Sequence, residues 1–200
     1  MRRGRLVEHG SSAERCRLIV GLGNPGERYR TTRHNLGFRV LDRLAEAGNS
    51  PTRTIECNAL VAKLEQRILA WPQTYMNRSG FSVRCLFERH GFEAMDLLVV
   101  YDDTALQLGV LRARGRGGPG GHRGMESVIQ NLRTDEVARL RLGVAPTEGL
   151  PGGEDLSDFV LSDFDEQELE DVDEMIQRAV AACKCWLEEG TESTMNRFNG

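Results

Sequence analysis

The 200 residues carry 30 acidic and 26 basic side chains, for a formal net charge of −4, with 40% hydrophobic content. That is enough chain for one domain with a full core and cramped for two. No apolar run approaches the roughly 20 residues of a membrane helix, and the basic opening MRRGRLVEHGSSAERC lacks the apolar stretch of a secretory signal. Cys16, Cys57, Cys85, Cys183 and Cys185 are odd in number and form no C-x-x-C. With four scattered histidines and no H-E-x-x-H, they predict reduced thiols in a cytoplasmic protein, without a disulfide framework or a structural metal.

The charge is unevenly spread. Residues 147–200 hold 15 acids and 3 bases, and residues 1–146 hold 15 acids and 23 bases. This division predicts a polyanion-facing surface beside an acidic flank.

Residues 1–16 read as a disordered leader, and 17–200 as one domain. RLIVGL (17–22) is a buried strand, and Leu36, Val40, Leu41, Leu44 and Ala45 recur at helical spacing until Gly48. Residues 59–71 alternate loosely, as a strand or hairpin, and Pro72 ends the pattern. Ser79 is placed to cap a helix carrying Val83, Leu86 and Phe87 up to Gly91. LLVVY (97–101) is the clearest strand, a second strand or turn passes through Leu111, and a loop rich in Gly and Arg spans 112–124. A helix is expected from Met125 to Leu132, a strand at 138–144 and a flexible loop at 145–158. An acidic helix follows within 165–189, with Met175, Ile176, Ala179, Val180, Cys183 and Leu187 on its core face. Strands alternating with helices predict an α/β fold, a single domain whose mixed twisted sheet has helices on both faces.

Gly21, Gly23 and Gly26 fit G-x-G-x-x-G after a strand, yet the context of a dinucleotide turn is missing. Pro25-Gly26 is a turn dipeptide, helical periodicity starts about ten residues later, and Glu46 falls inside a helix rather than at the end of a second strand. No G-K-[ST] supports a P-loop. Asn24 follows the first strand, Asn77 follows another likely strand end, Asp102 closes LLVVY, and His34 lies at the start of the first helix. Ligands in open α/β sheets collect beyond the carboxyl ends of strands. One histidine, one carboxylate and nearby amides, without G-x-S-x-G, suit hydrolysis by an activated water; turn-forming asparagines and a capping histidine are the structural alternative.

GLGNPGERYRTTRHNLG, WPQTYMNRSG, VVYDDTALQLGVLRARGRGGPGGHRGMESV, RLRLGV and TMNRFN, in order from about residue 17 to 199, resemble the bacterial-type peptidyl-tRNA hydrolases. The resemblance implies cleavage of the ester between a peptide and the 3′ ribose of tRNA. Under it His34 is the general base, Asp102 its orienting carboxylate, and Asn24 and Asn77 the amides that position substrate, water or oxyanion. The Asn24 carbonyl is expected to accept from the peptide's first N–H. Tyr29 and Tyr75 line the channel for the 3′ end, His122 and Arg123 bind substrate nearby, and Arg112, Arg114 and Arg141 meet tRNA phosphate. No cofactor or metal is implied, the partner is peptidyl-tRNA, and a monomer is expected. Arg123 stands where the family commonly has asparagine, and Ala105 where a second acid is frequent. Glu148, Glu154 and Asp155 fall in a 147–158 lid that is usually basic, so weaker tRNA attraction is expected there. The alternative from another class is a catalytically silent RNA-binding homologue of splicing-factor type, and a nicotinamide oxidoreductase is a distant third.

Overall fold

The computed structural model describes residues 15–48, 52–64, 67–148 and 156–199. The expected leader lies outside these residues except for its last two, and so do Glu154 and Asp155 of the expected lid. Strand β1 (Arg17–Gly21) leads through two short 3₁₀ turns into helix α1 (Leu36–Ala47). Strands β2 (Thr54–Glu56), β3 (Ala59–Leu64) and β4 (Arg67–Pro72) form a meander before α2 (Ser79–His90). Then come β5 (Leu97–Gln107), β6 (Leu111–Arg114), α3 (Arg123–Leu132), β7 (Ala138–Ala145), α4 (Leu156–Leu161), α5 (Leu169–Glu189) and α6 (Thr191–Phe198).

The strands make one mixed sheet in the order β2-β3-β4-β1-β5-β7-β6. β1 pairs in parallel with β4 and β5, and β5 with β7; the outer strands pair antiparallel. Successive side chains of a strand face opposite sides, so each central strand feeds two cores. Ile19, Leu98 and Val100 pack with α1 and α5, while Leu18, Val20, Leu97 and Val99 pack with Val83 and Leu86 of α2 and Met125 and Val128 of α3. The two-faced α/β fold read from the sequence is the one observed.

Several local expectations need correction. Ser79 does not cap α2: the 3₁₀ turn Met76–Arg78 runs directly into the helix, and the buried Ser79 hydroxyl has no hydrogen-bond partner among the described residues. The loop expected at 145–158 gives way to α4 from Leu156. Reduced thiols do not hold throughout, because Cys57 and Cys85 are joined in a disulfide. Their pairing joins a hairpin turn to a helix 28 residues away, and spacing alone carries no signal of it. β2 and α6 are additions. Asn199, just past α6, accepts from the Ala113 amide (2.6 Å) and donates to its carbonyl (3.1 Å). Its side chain thereby occupies part of the open edge of β6.

Gly21 and Gly37 of the opening stretch serve close packing. A side chain at Gly37, in the first turn of α1, would fall inside the backbone of Leu22 and Val100, and one at Gly21 would fall inside the carbonyl of Gly37. Neither obstacle is a flexible side-chain end, so α1 itself would have to move. Gly37→Ala is expected to destabilise the fold by about 3 kcal/mol and lower Tm by about 6–12 °C, measured by thermal unfolding. An unchanged Tm would contradict this packing.

Candidate active site

Three parallel strands end together, and the polar residues gather beyond them. The chain leaving β1 stays extended, with the Leu22 amide donating to the Val100 carbonyl (2.9 Å). Asn24 is then fixed from two sides. Its backbone N–H donates to Asn35 Oδ1 (2.8 Å) and its carbonyl accepts from Asn35 Nδ2 (3.0 Å), a reciprocal clamp. Its side-chain Oδ1 accepts from the Met76 amide (2.8 Å), just past β4. A backbone N–H can only donate, so this bond identifies the oxygen and leaves Nδ2 as the free group. Each of its two carbonyl oxygens carries one hydrogen bond, and Nδ2 has no partner among the described residues. Asn35, which sequence reasoning left without a role, sets this arrangement.

His34 sits in the 3₁₀ turn Arg33–Asn35 that enters α1. Its Nδ1 lies 2.9 and 3.0 Å from the two oxygens of Asp102, on β5. Asp102 is 1% exposed and also meets His122 Nε2 at 3.3 Å. His122 is the N-cap of α3, and its Nδ1 accepts from the Met125 amide (3.1 Å). With Nδ1 an acceptor, the neutral ring carries its proton on Nε2 and donates it to Asp102. His34 donates from Nδ1 to the same carboxylate, which leaves its Nε2 with a lone pair and no protein partner among the described residues. Burial pushes the Asp102 carboxyl up, but the charge of His34 and the hydrogen bonds from both histidines outweigh it and hold the group well below the usual carboxylate range.

His34, Asp102 and His122 lie close enough to suggest a metal-binding set. The hydrogen bonds argue otherwise. The nitrogen that His122 would offer carries its proton, and freeing it would cost the bond from Met125. The trio fits a hydrogen-bonded relay better than a cation.

A cleft of about 390 Å³ opens over this group. Asn24, Tyr29, His34, Tyr75, Asn77, Asp102, His122 and Arg123 all line it, so eight of the site residues expected from the sequence converge. Tyr75 is 59% exposed at the rim. One wall was not foreseen: α4 contributes Leu156, Ser157, Val160 and Leu161. The segment after α4 is pinned to the residue beside His34. The buried Arg33 guanidinium lies between the rings of Phe159 and Phe164 (4.7 and 4.5 Å), pairs with Glu168 (2.7 Å) and donates to the Asp163 carbonyl (3.1 Å).

The remaining arginines lie outside the cleft lining. Arg112, Arg114, Arg139 and Arg141 are opposed in register on β6 and β7. They alternate with Leu111, Ala113, Leu140 and Leu142, which enter the core shared with the acidic helix α5. The arginines thus face away from α5, and the charge asymmetry of the sequence becomes a division between two faces of the sheet. Arg141 is no free cation, because it pairs with Asp103. Arg139 is spent on the carbonyls of Val137, Gly118 and Asp135. Arg112, Arg114, Arg116, Arg123 and Arg133 have no carboxylate partner among the described residues, unlike Arg43, Arg53 and Arg84, which pair with Asp173, Asp42 and Glu88.

The fold and site together define a hydrolase built on a mixed α/β sheet, with a histidine–aspartate pair at the carboxyl edge of the strands and a cationic ridge alongside. The family model for peptidyl-tRNA hydrolase matches residues 18–200, and the chain belongs to that family. A peptidyl-tRNA hydrolase of Methylacidiphilum infernorum is 42% identical over 91% of this chain and 97% of its own length. One from a Synechococcus strain is 46% identical over 91% of this chain and 82% of its own. The crystal structure of the Acinetobacter baumannii peptidyl-tRNA hydrolase superposes with a TM-score of 0.84 at 31% identity, over 96% of this chain and 98% of that one. These relatives support the hydrolase over the splicing-factor alternative.

Proposed function

We propose that the cleft cleaves the ester between a peptide and the 3′ ribose of tRNA by a water that His34 activates. The observation that carries this reading is the His34 imidazole, bonded through Nδ1 to a buried, ionised Asp102 with Nε2 left bare. In that tautomer Nε2 takes a proton from water as it attacks the ester carbonyl, and the Asp102 charge supports the imidazolium formed. Asn24 Nδ2, locked by Met76, is a preorganised donor for the carbonyl oxygen as it gains charge. Asn77, which also lines the cleft, is the second amide, and Tyr29 and Tyr75 provide faces for the 3′-terminal base. Arg112 and Arg114, with Arg123 at the rim, supply the attraction for tRNA phosphate. Arg141 acts indirectly, through Asp103. The reaction uses no cofactor, and the protein works as a cytoplasmic monomer.

The test is release of N-acetyl-aminoacyl groups from tRNA, without added metal, by the purified chain. Turnover is expected, with kcat/KM falling as salt rises and with Arg114→Ala reducing the log–log salt slope by about one. Tight tRNA binding with no ester cleavage would instead favour the silent RNA-binding reading.

A further inference from the structure

Cys57 and Cys85 are set apart from the other cysteines by where they lie. Cys57 is the first of two residues with positive φ (54° and 53°, with Asn58) in the tight turn joining β2 to β3. Cys85 lies on an exposed face of α2, and the two Cα atoms are 5.6 Å apart, within the span a disulfide requires. The residues on either side of Cys57 reach α2 without help from sulfur. Glu56 accepts from His90 Nε2 (2.5 Å) and Arg89 Nε (3.1 Å), and the Asn58 carbonyl accepts from the Ser82 hydroxyl (3.1 Å). Ser82, Cys85 and Arg89 occupy one helical face at i, i+3 and i+7. Contacts that do not involve sulfur thus bracket both cysteines. Cys183 and Cys185 are buried in α5, where burial pushes the Cys183 thiol up to about 12.

We propose that Cys57 and Cys85 are a reversible thiol-modification site, closed by a small-molecule disulfide and reopened by thiols, which staples the hairpin to α2 and leaves the catalytic cleft unchanged. One cysteine thiolate attacks a sulfur of glutathione disulfide, forming a mixed disulfide and releasing one glutathione thiolate. The other cysteine then displaces the second glutathione. The protein loses two electrons and two protons, and the two glutathione molecules carry them away as thiols. The cleft is insulated because the entry to α2 is held from elsewhere. The Gly80 amide donates to Ser127 Oγ (3.0 Å) and the Met76 amide to Asn24 (2.8 Å), and neither bond passes through the hairpin.

The experiment treats the full chain with glutathione disulfide or with dithiothreitol, counts thiols under denaturing conditions and maps the linked peptides. Three of the five cysteines should react after oxidation and all five after reduction. Oxidised protein should melt about 5–10 °C higher, with kcat/KM on N-acetyl-aminoacyl-tRNA equal in both forms within about twofold. Cys57→Ser and Cys85→Ser should each abolish the difference in Tm. Five reactive thiols after oxidation, a linkage through Cys183 or Cys185, equal Tm values, or a loss of activity on oxidation would each overturn the proposal. The thiol count and Tm do not depend on the proposed reaction.

Discussion

Replacing His34 by alanine should lower kcat by about 10²–10⁴-fold, the usual contribution of a positioned general base, while KM moves less than about threefold. The imidazole meets Asp102 at 2.9 Å on one side and the cleft on the other, so its removal takes away the proton acceptor without disturbing the arginine ridge. Steady-state kinetics on N-acetyl-aminoacyl-tRNA measure this. Near-normal turnover by the variant would remove His34 from the chemistry. Folding is not at stake, because residues 33–35 are anchored by the Arg33 and Asn35 side chains rather than by the imidazole.

Asp102→Asn should be nearly as damaging, by about 10²–10⁴-fold in kcat, for a reason specific to this site. His122 must donate from Nε2, because Met125 occupies its Nδ1. It will therefore claim the oxygen of the new amide and turn the NH₂ group towards His34. His34 Nδ1 then becomes an acceptor, its proton moves to Nε2, and the base is lost. Adding His122→Ala removes the competing donor and lets the amide rotate, so the double variant should recover activity relative to Asp102→Asn alone. A double variant no faster than the single one would contradict this tautomer argument. In the unmodified protein, Asp102 is held well below the usual carboxylate range and stays ionised through pH 4. The activity profile should therefore show no carboxylate limb from Asp102 above that pH.

The convergence of Asn24, His34, Asn77 and Asp102 was legible in the sequence because a parallel sheet brings strand ends to one edge: Asn24 and Asn77 follow strands, Asp102 closes one, and His34 opens the first helix. The partners of these side chains were not. Asn35 meets Asn24 across 11 residues and Met76 meets it across 52, and contacts of that kind leave no periodic mark. Arg141 reads as a phosphate contact only through the family resemblance, and its pairing with Asp103 depends on strand register. β2 was missed because it is three residues long, and α6 because its eight residues bury little apolar surface of their own. The Cys57–Cys85 bond needed both the hairpin turn and the direction of α2.

Arg33 gives His34 and the apolar wall of the cleft a common foundation. Its side chain holds the turn at 163–168 and the ring of Phe159, while its backbone is bonded through the peptide to His34. The wall cannot swing outward on its carboxyl side without uncovering a buried guanidinium or dragging the imidazole off Asp102. Opening the cleft there therefore costs either the burial of the Arg33 guanidinium or the alignment of His34 on Asp102.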